Sequence, residues 1–264
     1  MTLFLLICSI VILACVLFHK LSSRLGVPAL LAFILLGMFF GSDGVVKIPF
    51  DDYSLAQDLC SVALIFIMFY GGFGTNWTQA KPVAVKAGLL SSLGTLLTAG
   101  LVGVFCWQVL ALPCLESFLL GAVIASTDAA SVFSILRSKH LDLRENTASL
   151  LEVESGSNDP FAYMLTVILL TLMTGDLSAP AVAYQIFAQL VYGGALGVVI
   201  ALGARYCLRR FSLAASRFDA IFLVAVALLS YAAPTLLGGN GYLSVYLTGI
   251  LLGNSKLANK QALV

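Results

Sequence analysis

Two aspartates stand inside long apolar stretches, where an acid is costly. Asp128 lies in Ala125-Ser126-Thr127-Asp128-Ala129-Ala130, and Asp159 in Glu154-Ser155-Gly156-Ser157-Asn158-Asp159-Pro160. A carboxylate near the middle of a bilayer costs several kcal/mol and marks a path for an ion or a proton. Both motifs surround the acid with oxygen. Ser126, Thr127 and Ser131 flank Asp128, and Ser155 sits one turn before Asp159 on the same helical face. Pro160 cannot donate to the carbonyl of Gly156, which becomes available. Glu154 and Asn158, four residues apart, can hydrogen-bond to each other. Carboxylate, hydroxyl and carbonyl oxygens suit a hard monovalent cation, sodium or potassium. Desolvation penalises the bare carboxylate, so a cation and a proton become alternative partners for one group.

These motifs need membrane helices to hold them. Of 264 residues, 60% are apolar and 10% charged, against about 25% charged in a soluble domain. The net charge of +1 argues against a nucleic-acid partner. The six cysteines form no CxxC pair, and His19 and His140, both beside basic residues, argue against a histidine metal site. The first apolar stretch lacks a basic leader and an Ala-x-Ala cleavage site, so it reads as a true first span. Apolar windows predict nine spans, at 2–21, 28–42, 56–74, 82–110, 116–136, 147–174, 183–208, 218–237 and 241–254. The second and ninth are short. All but Lys47 of the 14 Lys and Arg residues fall in alternate loops, after spans one, three, five, seven and nine. The positive-inside rule then places the N-terminus outside and residue 264 on the cytoplasmic side.

In this topology span five runs inward and span six outward. Asp128 and Asp159 each lie twelve residues into their span, about 18 Å along a helix, and so reach a common depth. The Ser/Thr run around Asp128 weakens its helix, and an unwound stretch there would free carbonyls for a cation. Glu152, two turns nearer the cytoplasm, is either an entry-funnel charge or an interfacial one. The chain also repeats itself. Shifted by 212 positions, Gly26, Gly37 and Gly41 fall on Gly238, Gly249 and Gly253. Span one then corresponds to span eight with opposite polarity, as in the inverted repeats of secondary transporters. A first copy of six spans and a second that has only begun by residue 264 imply an N-terminal piece of a longer transporter.

Thr127-Asp128 on one helix, followed by Glu154-Ser155-x-x-Asn158-Asp159-Pro160 on the next, resembles the monovalent cation:proton antiporters, and more narrowly their NhaP-type branch. Phe69-Tyr70-Gly71-Gly72 and the Gly-rich fourth span are similar to that branch as well. Within it the chain looks like the bacterial potassium/proton members linked to cell-volume regulation, which carry a cytoplasmic regulatory domain. The resemblance implies an all-α polytopic membrane protein of the bacterial inner membrane, here about nine helices of a truncated thirteen-helix inverted-repeat fold. It implies a homodimer in lipid, with residues 1–76 in the dimer-interface half. Residues 77–176 would hold the ion site in helices four to six, 177–212 a linking helix, and 213–264 the start of the second repeat. No cofactor is implied beyond transported potassium or sodium and protons.

The resemblance also assigns roles. Asp159 matches the ion- and proton-binding aspartate, and Asn158 the asparagine of the electroneutral branch, which implies one proton per cation. Thr127 and Asp128 match an unwound crossing helix, and Ser155 a ligand, so the cation would sit at Asp159, Ser155 and Thr127. Glu154 matches a glutamate that braces the asparagine, usually with an arginine on a later helix. Pro160 supports the site. Tyr70 departs from the pattern, because many relatives carry an acid there. Two other readings use the same residues: an intramembrane aspartyl hydrolase built on Asp128 and Asp159, lacking the Gly-x-Gly-Asp of that class, and a non-transporting membrane subunit.

Overall fold

The computed structural model describes residues 2–25, 29–48, 52–127, 143–175, 178–210 and 219–255. Among these residues the secondary structure is helical, without a strand. The principal helices are α1 (Thr2–Leu25), α2 (Ala29–Phe40), α3 (Tyr53–Gly74), α4 (Trp77–Gln108), α5 (Cys114–Ile124), α6 (Thr147–Met173), α7 (Ala179–Arg210), α8 (Asp219–Leu236) and α9 (Gly241–Gly253). Each predicted span corresponds to one of them. Helices α3, α4 and α7 are each long and apolar enough to cross a membrane; α6 is a continuous helix whose apolar sequence is broken by the polar run from Ser155 to Asp159. Asp128 and the basic residues Arg137 and Lys139 lie outside the described residues.

The chain forms two compact units, residues 1–59 and 60–264. In the first, α1 packs with α2. In the second, two groups of helices can be told apart. The part of α3 from Cys60 onward joins α7, α8 and α9 around a core that includes Met68, Phe69, Phe73, Val226, Val245, Tyr246 and Leu252. The backbones meet closely there because glycine lets them. A Cβ on Gly249 would lie 2.6 Å from the Phe69 carbonyl, and one on Gly197 2.8 Å from that of Ser244. Helices α4, α5 and α6 pack together through small clusters at Ala80, Ala87 and Val153, and at Ala99, Ala122 and Ala125.

Helix α4 starts earlier than its apolar window. Asn76 accepts from the Thr78 N–H at 3.1 Å and starts the helix, and the Lys81-Pro82-Val83 segment continues it as a 3₁₀ turn. That turn needs no N–H from Pro82. A π-helical turn follows at Leu90–Gly94. Helix α8 ends in a Schellman motif: Gly238 takes φ +77°, Gly239 donates to Pro234 at 2.8 Å, and Gly238 to Thr235 at 3.1 Å. Asn240 then caps α9 by accepting from the Leu243 N–H at 3.1 Å. The thirteen residues of α9 span about 20 Å. At its far end, Asn254 binds the Thr75 carbonyl and the Trp77 N–H, in the turn between α3 and α4.

Candidate functional site

Helix α5 stops at Ile124, and Ser126 and Thr127 follow in non-helical backbone. Both side chains meet α6. Ser126 Oγ donates a short hydrogen bond to Asp159 Oδ1 and also lies 3.4 Å from Asn158 Oδ1. Asn158 Nδ2 donates to Thr127 Oγ1 at 2.5 Å and to Glu154 Oε1 at 3.2 Å. Thr127 Oγ1 lies 3.1 Å from Ser155 Oγ, which donates to Glu154 Oε2 at 3.3 Å.

Donor counting gives these bonds a direction. The Asn158 amide has two protons, one for Thr127 and one for Glu154. Thr127 must then pass its own proton to Ser155, and Ser155 passes its proton to Glu154. The ring ends on the Glu154 carboxylate, which accepts twice. This orients Asn158 so that its Oδ1 faces Ser126. Asn158 and Ser155 are each only 1% exposed, so the ring holds them in one arrangement.

Asp159 itself is half-buried and lines a cavity of about 510 Å³. The other walls include Leu64 and Ile67 of α3, Ala122, Ser126 and Thr127, and Ala162, Tyr163 and Thr166 of α6. The cavity thus runs from Asp159 along the C-terminal half of α6. One turn before Asp159, a Cβ on Gly156 would lie 2.5 Å from Tyr246 Cζ, so the α9 ring is pressed against α6 there.

Of the residues singled out from sequence, Thr127, Glu154, Ser155, Asn158 and Asp159 converge, while Asp128 lies outside the described residues. Ser126, which makes the direct contact to Asp159, was not among the candidate ligands. Its signal was its place beside Thr127 in the same small polar run.

Comparison with known proteins places this chain in a family. Residues 9–263 match the family described as sodium/hydrogen exchanger, transmembrane. The chain belongs to that family. It is 36% identical over 264 residues to the K(+)/H(+) antiporter NhaP2 of Shewanella sp. (strain MR-4), covering 99% of this chain and 46% of the relative. It is 36% identical over 238 residues to the K(+)/H(+) antiporter NhaP of Alkalimonas amylolytica, covering 90% of this chain and 41% of the relative. The chain therefore spans less than half the length of these relatives. The fold is that of the sodium proton antiporter MjNhaP1 from Methanocaldococcus jannaschii, with a TM-score of 0.77 at 24% identity over 95% of this chain and 62% of that one. These relatives are antiporters, transporters rather than enzymes, which turns the reading away from an intramembrane hydrolase. Together with the apolar helices they make this a multi-pass membrane protein.

Proposed function

We propose that the protein, at the length of its relatives, exchanges a monovalent cation for a proton by binding one or the other at Asp159. The observation that carries this reading is the position of Asp159: on a cavity wall, bonded to Ser126, next to the inward-held Asn158 oxygen. Asp159, Thr127, Ser155 and the Asn158 carbonyl are the oxygen set for the cation. Glu154 and Pro160 support it, and Asp128 belongs to the same crossing segment. Potassium is the proposed cation, because the relatives at 36% identity are named for it. With Asn158 neutral, one carboxylate changes partner per cycle, which makes the exchange electroneutral.

The remaining parts of the proposal follow the topology. The basic loops set the N-terminus outside and residue 264 in the cytoplasm of a bacterial inner membrane, and the cavity then opens outward. Helices α1 to α3 form the dimer-interface half of a homodimer, and α4 to α6 carry the site. Exchange is proposed for the protein at the length of its relatives. In everted vesicles carrying the protein at the length of its relatives, Asp159→Asn abolishes cation-driven proton flux. Wild-type flux in that variant would overturn the assignment.

A further inference from the structure

Asn240 is buried at 2% exposure and joins three helices at the level of Asp159. Its Oδ1 caps α9 through the Leu243 N–H. Its backbone N–H donates to the Gln189 carbonyl of α7 at 3.1 Å, and a Cβ on Gly193 would lie 2.7 Å from the Asn240 carbonyl. Its side-chain amide donates to the Pro160 carbonyl of α6 at 2.8 Å. The last bond is not needed for capping, since serine and aspartate cap a helix as well as asparagine does. What asparagine adds is a donor, and the donor reaches the carbonyl of Pro160, the residue after Asp159.

The same residue costs α6 a bond of its own. Pro160 has no N–H for the Gly156 carbonyl, so the helix around Asp159 is held by one internal bond fewer. Asn240 adds an external bond from the start of α9, at the Pro160 carbonyl rather than at the Gly156 carbonyl that the proline leaves open. The junction is also polar where packing alone would favour apolar side chains. Gln189 is 4% exposed there, and its two amide atoms have no hydrogen-bond partner among the described residues.

We propose that Asn240 is a positioning residue for the Asp159 site: its amide holds the Pro160 carbonyl, and so sets the height and rotation at which α6 presents Asp159 to the cation. The proposal rests on the reading of Asp159 as the exchanging group. It requires that loss of the amide weakens cation binding while leaving the α9 cap in place.

The test uses Asn240→Ser and Asn240→Thr in the protein at the length of its relatives, reconstituted with Asp159→Asn as control. Both substitutions keep a capping oxygen, and neither carries the amide donor. The expected result is an apparent KM for potassium raised about three- to tenfold, the equivalent of one net hydrogen bond, with maximal rate and thermal midpoint near wild type. An unchanged KM in both variants overturns the proposal. So does failure of both to reach a folded state, because Asn240 then serves folding alone. If wild-type flux does not depend on Asp159, the reading beneath the proposal fails first, and the control reports that separately.

Discussion

The contact between Gly156 and Tyr246 invites a direct perturbation, Gly156→Ala. The added methyl would lie 2.5 Å from Tyr246 Cζ, 2.6 Å from Cε2 and 2.6 Å from the hydroxyl oxygen. Carbon atoms in contact rest about 3.5–4.0 Å apart, so the ring or the helix must retreat by about 1 Å. The ring has little room, since Tyr246 is 2% exposed. Its own backbone is pinned as well, because a Cβ on Gly72 would lie 2.5 Å from the Tyr246 carbonyl. The relief must come from moving α6 away from α9, and overpacking of this kind costs about 1–3 kcal/mol. A difference of that size between two transport states changes their ratio by about 5- to 150-fold. We expect Gly156→Ala to lower the thermal midpoint in detergent and to reduce cation-driven proton flux at least fivefold. Tyr246→Leu in the same chain removes the ring and should restore both. A double-mutant cycle with a coupling above about 1 kcal/mol would match the geometry. Wild-type stability and flux in Gly156→Ala, or additive effects in the double variant, would refute the reasoning.

Thr127→Val removes the acceptor for Asn158 and the hydroxyl next to Ser155; the apparent KM for potassium should rise about tenfold, for a lost bond together with an unpaired buried amide, as read in flux assays. Because proton and cation compete for one carboxylate, the apparent KM should rise as pH falls, with the maximal rate at saturating cation preserved; a pH effect on maximal rate alone would contradict competition at Asp159. Thr166→Cys, on the cavity wall, should react with a membrane-impermeant maleimide added outside intact cells, and labelling only in everted vesicles would reverse the proposed orientation.

The helices were legible because a membrane span is written as uninterrupted apolar sequence. Helix α6 was expected at 147–174 and runs Thr147–Met173, and α9 was expected from residue 241 and starts there. The Glu154–Asn158 bond was readable from i,i+4 spacing. The early start of α4 was not, because Lys81 and Pro82 resemble a loop until a 3₁₀ turn absorbs them. Nor was the π-helical turn at Leu90–Gly94, which no periodicity announces. The site was partly legible for the same reason. Ser155, Asn158 and Asp159 share one short motif, whereas Ser126 reaches Asp159 across 33 positions and Asn240 reaches Pro160 across 80. Tyr246 looked like one aromatic among many in an apolar helix; only the glycine opposite gives it a place.

The cavity beside Asp159 also bears on how an ion loses its water. At about 30 Å³ per molecule, 510 Å³ holds roughly seventeen waters. In the proposed exchange, a cation entering this cavity would keep its hydration shell until it is within reach of Ser126 and Asp159. The shell can then be exchanged stepwise, one water for one protein oxygen, so that the dehydration barrier is divided into small increments. Water filling that cavity in the proposed exchanger would also confine the membrane potential to the protein between the cavity floor and the opposite face. The thickness of that remaining barrier, rather than that of the bilayer, would set the electrical distance the ion travels in each cycle.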